Sequence, residues 1–376
     1  MGIPWLLLLF PIIVALTWRH VYAVGQTAND HFVAAVVGGC IGFYGLMFKA
    51  CGGDLAWAFL AGAVGIWGLF FAIHRVRSAP GWVRWLLAYP SQVAYGFALW
   101  GGLTWLVRAP IAALAGRDWL WPGAWLLLPL SLAVLGTVQC YSRGRRLTRH
   151  VVAGLPGRLV QLSDIHASAL MHEEELGPLV EAVNRLDPAL VVVTGDLVMP
   201  FSEAEHSYLV EALARIEAPV VCCPGNHDLP VLWQLGEALA ERGVKLLVDE
   251  AIESGGFHVT GVNFHWKNAR EELASALQKC PRGESFAVLL AHDPRLGAWV
   301  DEARFDLVLS GHTHGGQVAG NMLGLNASML RLFGVRDQGW FGKQYVHCGN
   351  WYTGLPPRMG VAGEIAVFDP AVNDPG

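Results

Sequence analysis

Five short stretches of the chain carry side chains able to bind metals or move protons, and each follows an apolar run. They are Asp164-Ile165-His166, Gly195-Asp196, Gly225-Asn226-His227-Asp228, His292 and Gly311-His312-Thr313-His314. The runs ahead of them are Leu159 to Leu162, Leu190 to Val193, Pro219 to Cys223, Phe286 to Leu290 and Leu307 to Leu309. All have the length and composition of buried strands. In an extended segment residues i and i+2 face the same way, so Asp164 with His166, and His312 with His314, can each turn two donors toward one point. Asn226 offers a neutral amide oxygen, His227 a titratable imidazole, and Asp228 a carboxylate to orient it. Gly195 keeps the approach to Asp196 open.

This inventory is oxygen and imidazole without thiolate, which suits Mn, Fe, Zn, Co or Ni. Two Asp, one Asn and four His exceed what one ion takes. Two ions about 4 Å apart, clamping a phosphoryl group for in-line attack, use the whole set, with one carboxylate bridging. Each piece alone is ordinary turn chemistry; their order along the chain, each at the end of an apolar run, gives the pattern its force. His172, His206 and His258 read as solvated, and His265 and His347 stay unassigned. Cys222 and Cys223 read as packing groups within their strand.

Strand ends converge on one crevice when apolar strands alternate with helices in an open α/β sheet. From residue 158 onward the pattern alternates in this way. Leu176, Leu179, Val180, Val183 and Leu186 share one face of a helix over 173–186. A strand at 189–194, a helix near 203–216, the strand into Cys223 and a helix near 231–242 follow. Beyond 244 strands dominate: Val244 to Val248, Phe257 to Val262, Phe286 to Ala291, Asp306 to Leu309, Gln344 to His347 and Glu364 to Phe368. A layered α/β domain over 158–370, with two mixed β-sheets flanked by helices, accommodates this order.

The N-terminal part is of another kind. Residues 1–18, 31–48, 55–73, 85–107 and 119–142 are runs without Asp, Glu, Lys or Arg, each close to the length that crosses a bilayer as a helix. Trp18, Tyr22, Trp85, Trp105, Trp119 and Tyr141 near the run ends fit interfacial anchoring. A transmembrane domain of about five helices over 1–142 is expected, then a basic linker over 143–157. Arg19, Arg75, Arg77, Arg84, Arg143, Arg145, Arg146 and Arg149 lie on one side, against Lys49, Arg108 and Arg117 on the other. Eight against three places the first set, and the C-terminal domain, in the cytosol. Ionisable groups are missing from the middle of the runs, which argues against a transporter. A formal net charge of −5 gives no sign of a nucleic-acid partner. Seven cysteines without framework spacing read as reduced thiols.

The five-block series over residues 158–368 resembles the calcineurin-like metallophosphoesterase superfamily. Gly315-Gly316-Gln317, Gly354-Leu355-Pro356 and Glu364-Ile365 are similar to its membrane-associated YkuE/YaeI-like branch, which includes a mammalian transmembrane protein with a metallophosphoesterase domain. By motif position, the resemblance implies one divalent ion on Asp164, His166 and His314 and another on Asn226, His292 and His312, with Asp196 bridging. It implies His227 as proton donor to the leaving oxygen, or as a stabiliser of the transition state, with Asp228 holding it. Gly261-Val262-Asn263-Phe264 stands where related sequences often carry acidic residues. Soluble UDP-diacylglucosamine diphosphatases typically have Arg at the place of His227.

The expected protein is an integral membrane hydrolase of a bacterial cytoplasmic membrane. Its partners are the lipid bilayer and a phosphorylated small-molecule or lipid substrate, attacked at a phosphodiester or pyrophosphate bond. A tethered soluble-nucleotide phosphodiesterase and a non-enzymatic membrane scaffold are the competing readings. The intact ligand set speaks against the scaffold.

Overall fold

A computed structural model describes residues 124–141, 145–168, 173–199, 206–301, 303–316, 334–351 and 358–371, with isolated positions between 81 and 331. The first three apolar runs, and about half of the fourth, lie outside the described residues. The chain divides into two compact units, the second containing Val138–Gly376.

The fifth apolar run forms helix α1, Ala124–Tyr141. Leu127, Leu128, Leu135 and Val138 on it are more than half exposed. Among the described residues no helix is long and apolar enough to cross a membrane.

Two six-stranded sheets build the second unit. In chain order the elements are β1 (Arg146–Val152), β2 (Leu159–Leu162), α2 (Glu173–Asn184), β3 (Leu190–Thr194), α3 (Ser207–Ala214), β4 (Val220–Cys223), α4 (Leu232–Glu241), β5 (Lys245–Leu246), β6 (Glu250–Ser254), β7 (Phe257–Gly261), α5 (Ala269–Lys279), β8 (Phe286–Leu290), α6 (Pro294–Gly297), β9 (Leu307–Ser310), β10 (Gly339–Phe341), β11 (Gln344–Val346) and β12 (Glu364–Pro370). The first sheet runs β1-β12-β2-β3-β4-β5 and the second β10-β11-β9-β8-β7-β6. Both are mixed. β2 to β5 are parallel, as are β7, β8, β9 and β11, while β12 is antiparallel to β2, β10 to β11, and β6 to β7.

The strands are apolar on both faces because both faces are covered. Leu190 and Val192 of β3 pack with Val288, Leu290, Leu307 and Leu309 of the second sheet, between the sheets. Val191 and Val193, one residue out of phase, pack against Leu176, Leu179 and Val183 of α2 and Leu209 of α3. On the far side Leu289 and Val308 meet Leu273 and Leu277 of α5 and Leu296 of α6. The period of two thus divides each strand between a sheet–sheet core and a sheet–helix core, giving helix, sheet, sheet, helix.

The basic linker expected over 143–157 is not a linker. Arg146–Val152 is an edge strand, parallel to β12 from Arg146↔Glu364 to Val152↔Pro370. Thr148, His150 and Val152 alternate inward while Arg149 and Val151 stay exposed, the pattern of a half-buried strand. Of the arginines that suggested a loop, Arg149 stands on the outward face and the exposed Arg146 opens the strand, a usual way of protecting an edge. The apolar helix therefore ends only four residues before the domain's first strand.

A candidate dinuclear cation site at the strand ends

The site residues sit where the parallel strands stop. The loops beyond the strands continue the ladder: the Asp164 amide donates to the Gly195 carbonyl (3.0 Å), His166 to Asp196 (2.9 Å) and Gly311 to His292 (3.0 Å). Asp164, His166, Asp196, His312 and His314 all have φ between 50° and 73°. A non-glycine residue in the left-handed region carries strain, and such strain gathers at functional sites. Two glycines permit the crowding. A Cβ on Gly195 would lie 2.5 Å from His292 Nδ1, and one on Gly225 would lie 2.2 Å from Asp196 Oδ1.

The donors converge in two groups. Asp164, His166, Asp196 and His314 offer ligand atoms within 4.8 Å of one another, and so do Asp196, His292 and His312. His166 Nε2 lies 3.0 Å from His314 Nε2, which is 3.2 Å from Asp164 Oδ1. His292 Nε2 lies 3.2 Å from His312 Nδ1. Asp196 belongs to both groups: its Oδ2 is 3.3 Å from His292 Nε2 and 3.7 Å from His166 Nε2. Its Oδ1 accepts from the His227 amide at 3.0 Å. Asn226 stands on the same loop, and its Oδ1 is buried without a hydrogen-bond partner. A buried orphan acceptor costs free energy unless something electropositive meets it.

Local electrostatics match a cation. Burial pushes the Asp196 carboxyl up, but His227, His292 and His166 outweigh it and hold Asp196 well below the usual range. Asp164 is likewise held low, against burial, chiefly by His314. Burial pulls His166 well below the imidazole range and takes His312 down to about 4, with the His292 charge assisting there. His292 is the exception: against burial, Asp196 raises it to about 10. Two ionised carboxylates thus face neutral imidazoles, with one proton standing where cationic charge is called for. His292 Nδ1 donates to the Thr194 carbonyl at 2.7 Å, so Nε2, which faces Asp196 at 3.3 Å, carries the proton that a cation would displace. The donor set fits a pair of divalent ions of the kind that takes oxygen and imidazole ligands.

His227 behaves differently from the ligands. Its ring is 17 % exposed, with Nε2 3.9 Å from Asp196 Oδ2 and Nδ1 without a partner. Asp228 does not hold it, contrary to the sequence expectation. The Asp228 carboxylate is turned inward, accepting from Gly225 N (2.8 Å) and Val198 N (3.0 Å). Burial and the neighbouring Asp196 push it up to about 7. Asp228 fastens the loop that presents Asn226 and His227 to the loop beyond β3. The expectation failed because adjacent side chains on a turn need not face the same way.

Several supporting residues carried no sequence signal. Ser163 Oγ donates to Asp164 Oδ2 at 2.5 Å, while Asn350 Oδ1 accepts from Ser163 N at 2.8 Å. Trp351 N donates to the Asp164 carbonyl at 3.2 Å. Phe264 packs edgewise on His292, with ring centroids 5.9 Å apart, and lies 5.6 Å from His312. That stretch therefore meets the site with an aromatic face. Among the other histidines, His258 is buried and paired with Glu253 (2.8 Å), so it is not solvated. His206 is half-buried ahead of α3, and His172 lies outside the described residues. His347 is buried and accepts from Gly349 N. The described cysteines, Cys140, Cys222, Cys223, Cys280 and Cys348, are free and buried.

A layered α/β domain with convergent carboxylates and imidazoles at its strand ends is the architecture of a metal-dependent phosphoesterase. Residues 157–316 match the family described as calcineurin-like phosphoesterase, and this stretch is a calcineurin-like metallophosphoesterase domain. The chain is similar to an uncharacterized metallophosphoesterase of Helicobacter pylori, 29 % identical over 220 residues, covering 56 % of this chain and 58 % of that protein. It is 26 % identical over 193 residues to phosphodiesterase YaeI of Escherichia coli, covering 47 % and 70 % respectively. It is 29 % identical over 235 residues to the transmembrane protein with metallophosphoesterase domain of Bos taurus, covering 55 % and 51 %. The match spans little more than half the length of the first and last of these.

Proposed function

We propose that the chain is a membrane-anchored phosphoesterase that uses two divalent cations to hydrolyse a phosphodiester or pyrophosphate bond of a lipid-linked substrate. The observation that carries the reading is Asp196 Oδ2, one carboxylate oxygen within reach of both ligand groups. Asp164, His166 and His314 would hold one cation, and Asn226, His292 and His312 the other. Bound there, the pair supplies Lewis acidity toward the phosphoryl oxygens and lowers the pKa of the attacking water.

The chain's own groups supply the rest. Asp164 and Asp196 arrive ionised, and His292, raised to about 10 beside Asp196, is the ligand that would give up a proton to a cation. His227 is the ring at the site edge with an unpartnered nitrogen, placed to give a proton to the leaving oxygen. Phe264 at the second ligand group offers an apolar wall in place of a charged one.

The membrane and the lipid enter through three observations. Five apolar runs precede the domain, eight basic residues gather at one set of run ends against three at the other, and four residues link α1 to β1. A single span suffices to tether a soluble enzyme; five make sense if they help present a substrate tail. The domain then faces the cytosol of a bacterial cell. A relative named a phosphodiesterase supports the ester class.

The test compares kcat/KM of full-length protein in lipid vesicles on one phosphodiester headgroup with and without an acyl tail, each with Mn supplied. The tailed substrate should be preferred by 10-fold or more. Faster turnover of soluble nucleotides would favour a tethered nucleotide diesterase.

A further inference from the structure

Arg358 is buried, with 2 % of its surface exposed, and no carboxylate among the described residues pairs with it. A guanidinium taken out of water without an ion pair is costly unless its N–H groups are met. Here carbonyl oxygens meet those of Nη1 and Nη2, while the buried Nε has no partner. Nη2 donates to the Cys348 carbonyl at 2.6 Å and to the Trp351 carbonyl, and Nη1 donates to the Ala362 carbonyl at 3.1 Å. The backbone N–H of Arg358 is fixed by Cys140 Sγ at 3.1 Å.

The Trp351 carbonyl has a second neighbour. His314 Nδ1 lies 3.2 Å from it and 3.1 Å from Arg358 Nη2. Counting hydrogens decides between the two contacts. Nη2 has two, and the carbonyls of Cys348, Trp351 and, at 3.4 Å, Gly349 already outnumber them. None remains for His314 Nδ1, so that nitrogen must itself carry a hydrogen and donate to Trp351. His314 Nε2 is then the bare nitrogen, 3.2 Å from Asp164 Oδ1 and 3.0 Å from His166 Nε2. An imidazole that donates its far N–H to a fixed carbonyl is the arrangement that orients a metal-binding histidine.

We infer that Arg358 is a positioning residue for the first ligand group: by holding the Trp351 carbonyl it keeps His314 in the Nδ1–H form with Nε2 bare toward Asp164 and His166. This rests on the proposed cation site. It does not require that the substrate be a lipid.

Nitrogen-15 NMR of the ring nitrogens tests it in full-length protein, with Arg358→Met and Arg358→Lys alongside. In metal-free wild type, His314 should show the Nδ1–H form, and Arg358→Met should shift it toward an equilibrium of both forms. With Mn titrated in, Arg358→Met should weaken occupancy of the first group by roughly 10–100-fold and spare the second. Arg358→Lys should recover part of the loss. If Arg358→Met does not fold, the wild-type spectrum and the lysine variant still decide. An Nε2–H form of His314 in metal-free wild type overturns the inference. So does a folded Arg358→Met whose His314 signals and first-group occupancy match wild type, which would leave Arg358 a merely structural residue. Failure of the cation reading looks different: wild type would take up no Mn in either group, while the metal-free spectra would still judge Arg358.

Discussion

The two ligand groups are built to different standards. Asp164, His166, Asp196 and His314 are all buried, and Ser163, Asn350 and Trp351 brace Asp164 from behind. The second group has one fixed member in His292, tied to Thr194, while His312 is part-exposed and Asn226 Oδ1 has no protein partner. Preorganised ligands lose less entropy on binding. The first group would therefore be the tighter seat, and the second is the side that meets solvent and the Phe264 wall, while the His227 ring packs on His166 of the first group with centroids 4.9 Å apart.

The largest effect should come from the residue common to both groups. Asp196→Asn should cost on the order of 10³-fold or more in kcat, since a neutral amide cannot offset two cations, and should lower the metal content of both groups together. Loss from one group alone would break the symmetry assigned to Asp196.

His227 separates ligand from proton donor. His227→Ala should retain both cations and lose roughly 10²–10⁴-fold in rate, with a smaller loss on nitrophenyl esters, whose leaving group needs no proton. Equal loss on good and poor leaving groups would remove the acid role.

The unequal seats can be probed by chelation. Metal removal from wild type should be biphasic, the second group emptying first. Asn226→Ala should widen the separation by about 10-fold in chelator concentration, whereas a single-phase release would make the two seats equivalent.

A smaller effect belongs to the frame behind the site. Glu364 is buried and accepts from Thr148 Oγ1 (2.5 Å), Tyr345 OH (2.5 Å) and Cys348 N (3.1 Å). Against burial, His347 and these donors hold its pKa down to about 2. A carboxylate depressed in the folded state stabilises above its unfolded pKa and loses that contribution as pH falls. The contribution is about 3 kcal/mol, present at pH 6 and vanishing between about pH 4.5 and pH 2. Urea midpoints of Glu364→Gln and wild type should differ at pH 6 and converge near pH 2. A constant difference across that range would assign the stability to packing instead.

What was legible in the sequence follows from periodicity. Apolar runs followed by Asp, Asn or His marked β2, β3, β4, β8 and β9, and with them the carboxylates and imidazoles that converge in the two groups. β1 was hidden because its arginines satisfied a topogenic pattern as readily as an outward strand face. α5 was missed because only Leu273, Ala276 and Leu277 are apolar enough to be buried there. Asp228, Asn350 and Arg358 act through backbone carbonyls and amides, and Ser163 through its neighbour's carboxylate; such partners leave no trace in composition. Their roles come from which loops the fold brings side by side.

The central claim is that one carboxylate, Asp196, joins two cation seats. Electron paramagnetic resonance of the Mn-loaded full-length protein, with the metal counted on the same sample, tests it most directly. Two ions per chain with an exchange-coupled spectrum, lost in Asp196→Asn, is the predicted result. A single ion per chain, or two ions whose spectra add as independent centres, would contradict it.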